Sequence, residues 1–106
     1  MTGNVSANRW RGEVALHLGP VAHVLRPSFS ALVAAEDELG SLFALIERAS
    51  AGQLRLTELA GLFWHCLADR AGITRETFSE EVARAGLARC TEPLKALLVQ
   101  VLKGGE

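Results

Sequence analysis

"VAHVLRPSFSALVAAEDELG", residues 21–40, changes its hydrophobic period at Pro27. Before the proline, "VAHVLR" has extended character. After it, Leu32, Ala35 and Leu39 recur at spacings of three and four, and Phe43 and Ile46 carry the series on. That is the period of an amphipathic helix. Ser28 stands where an N-cap belongs. A segment that switches from strand to helix in this way points to an α+β fold.

Upstream, "WRGEVALHL", residues 10–18, alternates. Trp10, Val14, Leu16 and Leu18 share one side, while Glu13 and His17 take the other, as in a half-buried strand. Gly19-Pro20 breaks the run. The two extended pieces form a predicted β-hairpin. Two strands alone are marginal in water, so this hairpin must lean on helices or on another subunit. Residues 1–8 are small and polar and are expected to be a disordered N-terminal segment, with a single domain over 9–106.

Downstream, Gly40-Ser41 interrupts the helical series. The simplest arrangement ends one helix at Gly40 and starts a second with Ser41 as its cap; one kinked helix is the alternative. Ala51-Gly52 closes that segment. Thr57, with Glu58 in the first turn, is the expected N-cap of a third helix that runs to Gly72. Thr74 caps a fourth, stopped at Gly86. Thr91 caps the last, with Pro93 in its first turn and a stripe of Leu94, Leu97, Leu98, Val101 and Leu102. The expected fold is an N-terminal hairpin followed by four to five short helices packed as a small bundle.

The 106 residues are 49% hydrophobic and 22% charged, with a formal net charge of −1. This is the make-up of a globular chain and argues against disorder. The near-neutral charge does not suggest a nucleic-acid binder. No apolar run is long enough to span a membrane, and the N-terminus lacks a secretory signal's apolar core. A cytoplasmic location is therefore expected, with Cys66 and Cys90 as reduced thiols. Two cysteines supply no zinc framework.

His65 beside Cys66 is the pair that could carry chemistry. On a helix Leu59, Leu62, Phe63, Cys66 and Leu67 form the buried stripe, and His65 lies about 100° away. A catalytic couple needs its base within hydrogen-bond reach of the thiol, and neighbours on a helix diverge. Cys66 is thus expected to be a small buried hydrophobe, and His65 to pair with Asp69 or meet solvent. His17 and His23 sit on the hairpin with no ligand partners in view. There is no phosphate-cradling glycine loop and no nucleophile elbow. No catalytic residue, cofactor or metal is predicted, and the protein is not expected to be an enzyme.

Glu36 stands in the spacing Leu32, Glu36, Leu39, Phe43, where an apolar residue is expected. A charge on an apolar stripe is costly unless paired. Arg26, Arg11 or a helix N-terminus would serve; otherwise Glu36 is a rim carboxylate or a polar contact at an interface. "LADRAGITRETFSEEVARAG", residues 67–86, has a helix-turn-helix rhythm. Its second helix opens with Glu76 and continues with Glu80 and Glu81, offset by Arg75 and Arg84. Phosphates would be repelled, so packing rather than DNA reading is expected.

Taken together, Arg11-Gly12-Glu13 in the first strand and the run from Leu25 to Gly40, with Phe29, Ala31-Leu32, Glu36 and Leu39-Gly40, carry a resemblance. The chain resembles the small tail protein family of gene transfer agents and related siphophages, which is grouped with phage tail assembly chaperones. The resemblance spans about residues 9–103. Its downstream helices match mainly in pattern, and Gly19-Pro20 replaces the family's polar, Asp-Gly-like turn.

The resemblance implies a non-enzymatic assembly factor. Such a factor binds the long helical tape measure protein, keeps it soluble, helps recruit tail tube subunits, self-associates and is absent from the finished particle. On that footing Glu36, Phe43, Phe63 and Trp64 are the expected partner contacts, and Val14, Leu16 and Val24 the expected self-association contacts. Trp64 lies off the main stripe beside Ala60 and Ala68, either partly exposed or on a second core face. Alternatives are a structural tail tube or completion subunit, or a DNA-binding regulator using residues 67–86. A prophage and a domesticated transfer agent are equally open as the source.

Overall fold

The computed structural model describes residues 12–103; Trp10, Arg11 and the expected disordered segment 1–8 lie outside them. Strands β1 (Val14–Leu18) and β2 (Val21–Leu25) form an antiparallel hairpin. Its register runs from Val14 opposite Leu25 to Leu18 opposite Val21. The connection is only Gly19-Pro20. Gly19 has φ 61°, a left-handed value open to glycine, and Pro20 brings its fixed negative φ to the next position. That order suits a two-residue II′-type turn, so the departure from a polar turn leaves the hairpin tight.

Five helices follow: α1 (Phe29–Leu39), α2 (Leu42–Ser50), α3 (Leu56–Cys66), α4 (Arg75–Ala85) and α5 (Leu87–Lys103). The architecture is α+β, a hairpin followed by a small helical bundle, as the periodicity implies. Ser28 caps α1, its side chain accepting from the Ala31 N–H. Ser41 does the same for α2 through Ala44, and Thr74 for α4 through Thr77. Gly40, at φ 91°, separates α1 from α2, so these are two helices rather than one kinked helix.

Helix α3 is the axis of the fold. Leu59, Ala60, Gly61, Leu62, Phe63 and Cys66 are all buried. It packs between α1 and α4, while α5 lies against β1 and α4. Leu16, Leu25, Phe63, Phe78, Val82 and Leu97 fill the space between hairpin and helices. Gly61 favours this closeness: a Cβ there would sit 3.0 Å from the Arg75 guanidinium and 3.4 Å from Leu39, and both side chains would have to give way slightly. Helix α2 lies mainly on α1, and its buried Leu45 is outside the main core cluster.

Three expected helix boundaries differ. Arg55, not Thr57, precedes α3, and the Glu58 carboxylate accepts the Arg55 N–H at 3.0 Å. A carboxylate three residues into the helix can close its start without a hydroxyl at the N-cap. The same helix ends at Cys66 rather than near Gly72. There the chain turns extended and bridges to β2: the Arg26 N–H donates to the Cys66 carbonyl at 2.6 Å, and the Ala68 N–H to the Val24 carbonyl at 2.9 Å. Arg70 closes the freed helix end, donating to the carbonyls of Trp64 and His65. A neighbouring strand edge therefore competes with helix propagation and prevails.

Helix α5 begins at Leu87, four residues before the expected cap at Thr91, so Pro93 lies inside it. The Thr91 hydroxyl donates to the Leu87 carbonyl at 3.1 Å, a bond made within the helix instead of at its mouth. Pro93 has no N–H to return to Arg89, an exposed residue, and burial of Cys90 and Leu97 on either side of the proline anchors the helix regardless.

Candidate partner-docking surface

Cys66 and His65 diverge as helical geometry requires. Cys66 is 0% exposed within the core, and burial pushes its thiol up to about 12. A thiol so disposed is protonated and inert at neutral pH. His65 turns the other way: its Nε2 lies 2.7 Å from Glu38 Oε1. The expected pairing with Asp69 is not made, because Asp69 Oδ1 accepts the Ala71 N–H at 2.9 Å. Ending α3 at Cys66 removes the i,i+4 relation on which that pairing depended.

Glu38 also receives both guanidinium nitrogens of Arg75, Nη1 at 2.7 Å from Oε1 and Nη2 on Oε2. One carboxylate thus joins α1, α3 and α4. The hydrogen bonds from Arg75 first, and from His65 next, hold it down at about 2. Arg75 is one of the two cations that a DNA-reading α4 would have offered. Among the described residues, no group of three His, Cys, Asp or Glu side chains is placed to hold a metal ion.

The two hairpin histidines differ. His17 is exposed, while His23 is 8% exposed. The His23 ring meets Phe78 edge-on at 5.6 Å, and its Nε2 has no hydrogen-bond partner. Burial lowers its pKa, with Glu81 acting in the opposite direction.

The expected partner contacts separate into surface and core. Phe43 is 77% exposed. Glu36 is exposed and accepts the Leu42 N–H at 3.0 Å, so it bonds a helix N-terminus, one of the partners its position called for. Phe63 is 0% exposed in the main core. Trp64 is half-buried, 5.9 Å from Phe78, with the Arg70 guanidinium 5.0 Å over its ring. Of the hairpin contacts, Val14 and Leu16 are buried in the chain's own core and Val24 is half-buried.

Phe43 belongs to a groove of about 350 Å³ between α1, α2 and the end of α5, with Phe29, Leu32, Val33, Ile46 and Leu102 among its walls. Phe29 is 84% exposed and Leu102 60%. Further along α5, Leu87, Leu94 and Leu98 line a second groove of about 440 Å³ with Leu54 and Leu59. Apolar side chains of this size, gathered in open grooves of a small domain, make these the candidate docking surfaces. Phe29 and Val33 are not among the partner contacts expected from the sequence, although a signal exists. Ala31 and Ala35 are the buried residues of α1. Small residues let α1 approach its neighbour closely, which leaves the large ones on the free face.

The family described as phage tail tube protein, GTA-gp10, matches residues 11–104. The chain belongs to this family. Every strand and helix of the fold lies within the matched span. No curated protein and no solved structure matches the chain. Membership of the GTA-gp10 family makes it a protein of phage and gene transfer agent tails, and the resemblance carried by Arg11-Gly12-Glu13 and Leu25–Gly40 points to the same family. Among the described residues, no helix is long and apolar enough to cross a membrane.

Proposed function

We propose that this GTA-gp10 family member is a non-enzymatic tail assembly chaperone. It binds the tape measure protein in the cytoplasm, helps recruit tail tube subunits, and self-associates through its hairpin. The observation that carries the reading is the open apolar groove between α1, α2 and α5, with Phe29 and Phe43 at 84% and 77% exposure. A groove walled by aromatic and aliphatic side chains from three helices suits the apolar face of a helix laid into it. A tape measure protein is a long source of such helices. The inert Cys66, and His65 engaged in tying α3 to Glu38 of α1, agree with a docking role.

Co-expression tests this reading. The tape measure protein is expected to stay soluble and to co-purify with this chain, and to aggregate without it. Failure of both would overturn the proposal.

The family's description favours a second reading, a subunit of the tail tube itself. The two readings differ in where the protein ends up. A chaperone is absent from purified particles, whereas a tube subunit is present in them in stoichiometric amount.

A further inference from the structure

The two outer edges of the hairpin are not equivalent. The Val24 carbonyl accepts from Ala68, and the Arg26 N–H donates to Cys66. These two residues therefore turn their backbone groups away from β1, and by the alternation of an antiparallel ladder so does Ala22. Val24 pairs with Ala15, and Ala22 with His17. In such pairs both residues point their N–H and C=O groups outward, so Ala15 and His17 present theirs along the far edge of β1. The edge of β2 is closed by the segment after α3. Among the described residues, no strand is hydrogen-bonded to the far edge of β1.

We infer that this edge pairs with its own copy: two chains join β1 to β1, antiparallel, about a two-fold axis at Leu16. The inference deepens the hairpin self-association proposed above and rests on it, and it is independent of the helix-binding groove. Four observations carry it. A strand edge is a row of alternating donors and acceptors whose complement is another such row, and the same edge of a second copy supplies it under two-fold symmetry. Native edges are commonly guarded by lysine, proline or a bulge, and Val14–Leu18 contains none of these. An axis at Leu16 pairs all five residues of β1, with Ala15 of one copy exchanging about four hydrogen bonds with His17 of the other, counting both copies. It also sets each imidazole opposite a methyl group, whereas an axis at His17 would set two imidazoles face to face. The result is a four-stranded sheet in the order β2–β1–β1–β2, whose two outer edges are the ones already closed by the segment after α3.

Sedimentation equilibrium of the full chain tests this. The expected mass is twice that of the monomer, returning to one chain on dilution. Ala15→Pro removes an outward N–H and leaves the β1–β2 ladder untouched. It is expected to weaken dimerisation by more than about tenfold, since each copy loses a hydrogen bond, with unchanged circular dichroism. Ala22→Pro makes the same change on the β2 edge and is expected to keep the dimer. A wild-type chain that stays monomeric, or a folded Ala15→Pro variant that still dimerises, overturns the inference. So does a chain that is monomeric alone and pairs only with a second tail protein. Should Ala15→Pro fail to fold, hydrogen exchange on the wild type decides: the Ala15 and His17 amides are expected to lose protection on dilution, and protection independent of concentration overturns the pairing. Solubility of a co-expressed tape measure protein reads out the groove separately, so either idea can fail without the other.

Discussion

His65 Nε2 lies 2.7 Å from Glu38 Oε1, while the thiol of Cys66, one residue on, is sealed in the core. Two side chains that would make a reactive couple in contact are instead assigned to different tasks. One ties α3 to α1, and the other fills space beside Phe63.

The Glu38 clamp should appear in the acid limb of stability. Its carboxyl is lowered from 4.5 to about 2 in the fold, so the folded state favours the ionised form. The stabilisation is present above the unfolded value and is lost as pH falls from 4.5 towards 2. The side chain is 38% exposed, so solvent screens the interaction, and Glu38→Gln is expected to cost only about 1 kcal/mol at pH 7. Urea denaturation from pH 2 to 7 checks this: the variant should show a flatter acid limb than the wild type.

His23 should produce a second pH dependence. Burial lowers its pKa below 6.5, so the unfolded state binds the proton more readily. Its contribution is intact above 6.5 and declines as pH falls through the interval down to the folded value. Its Nε2 is buried without a partner, a situation that costs free energy. His23→Leu is expected to raise stability by about 1 kcal/mol and to flatten the curve just below 6.5. Thermal unfolding between pH 5 and 8 would reveal both effects.

Cys66 should behave as a buried group rather than a nucleophile. With its thiol pushed up to about 12 and that of Cys90 also raised by burial, neither is expected to react with a thiol reagent at pH 7.5 in the folded protein. Both should react promptly in denaturant. A thiol modified in the native state as fast as free cysteine would contradict the placement.

Phe43 and Phe63, twenty residues apart in an aromatic-poor chain, should give opposite phenotypes. Phe63→Ala removes a fully buried ring and is expected to cost about 3–5 kcal/mol. Phe43→Ser alters a side chain that is 77% exposed and should change stability by less than about 0.5 kcal/mol. Under the chaperone reading, however, Phe43→Ser is the variant that loses its hold on the tape measure protein. Circular dichroism melting paired with a co-expression solubility assay separates the two.

Local signals sufficed where neighbours in sequence decide the outcome. The hairpin, the caps at Ser28, Ser41 and Thr74, the break at Gly40 and the burial of Cys66 all follow from spacing and turn chemistry over a few residues. What sequence could not set is any competition between distant segments. Helix α3 stops at Cys66 because β2 offers hydrogen bonds there, and only the packed chain brings Arg26 to that carbonyl. Glu38, Arg75 and His65 are far apart in the chain and meet only when three helices converge. Likewise Phe43 and Phe63 are alike on a helical wheel, and packing alone decides which becomes core and which is left facing outward. Periodicity names an apolar face; the arrangement of the other elements determines whether that face is covered.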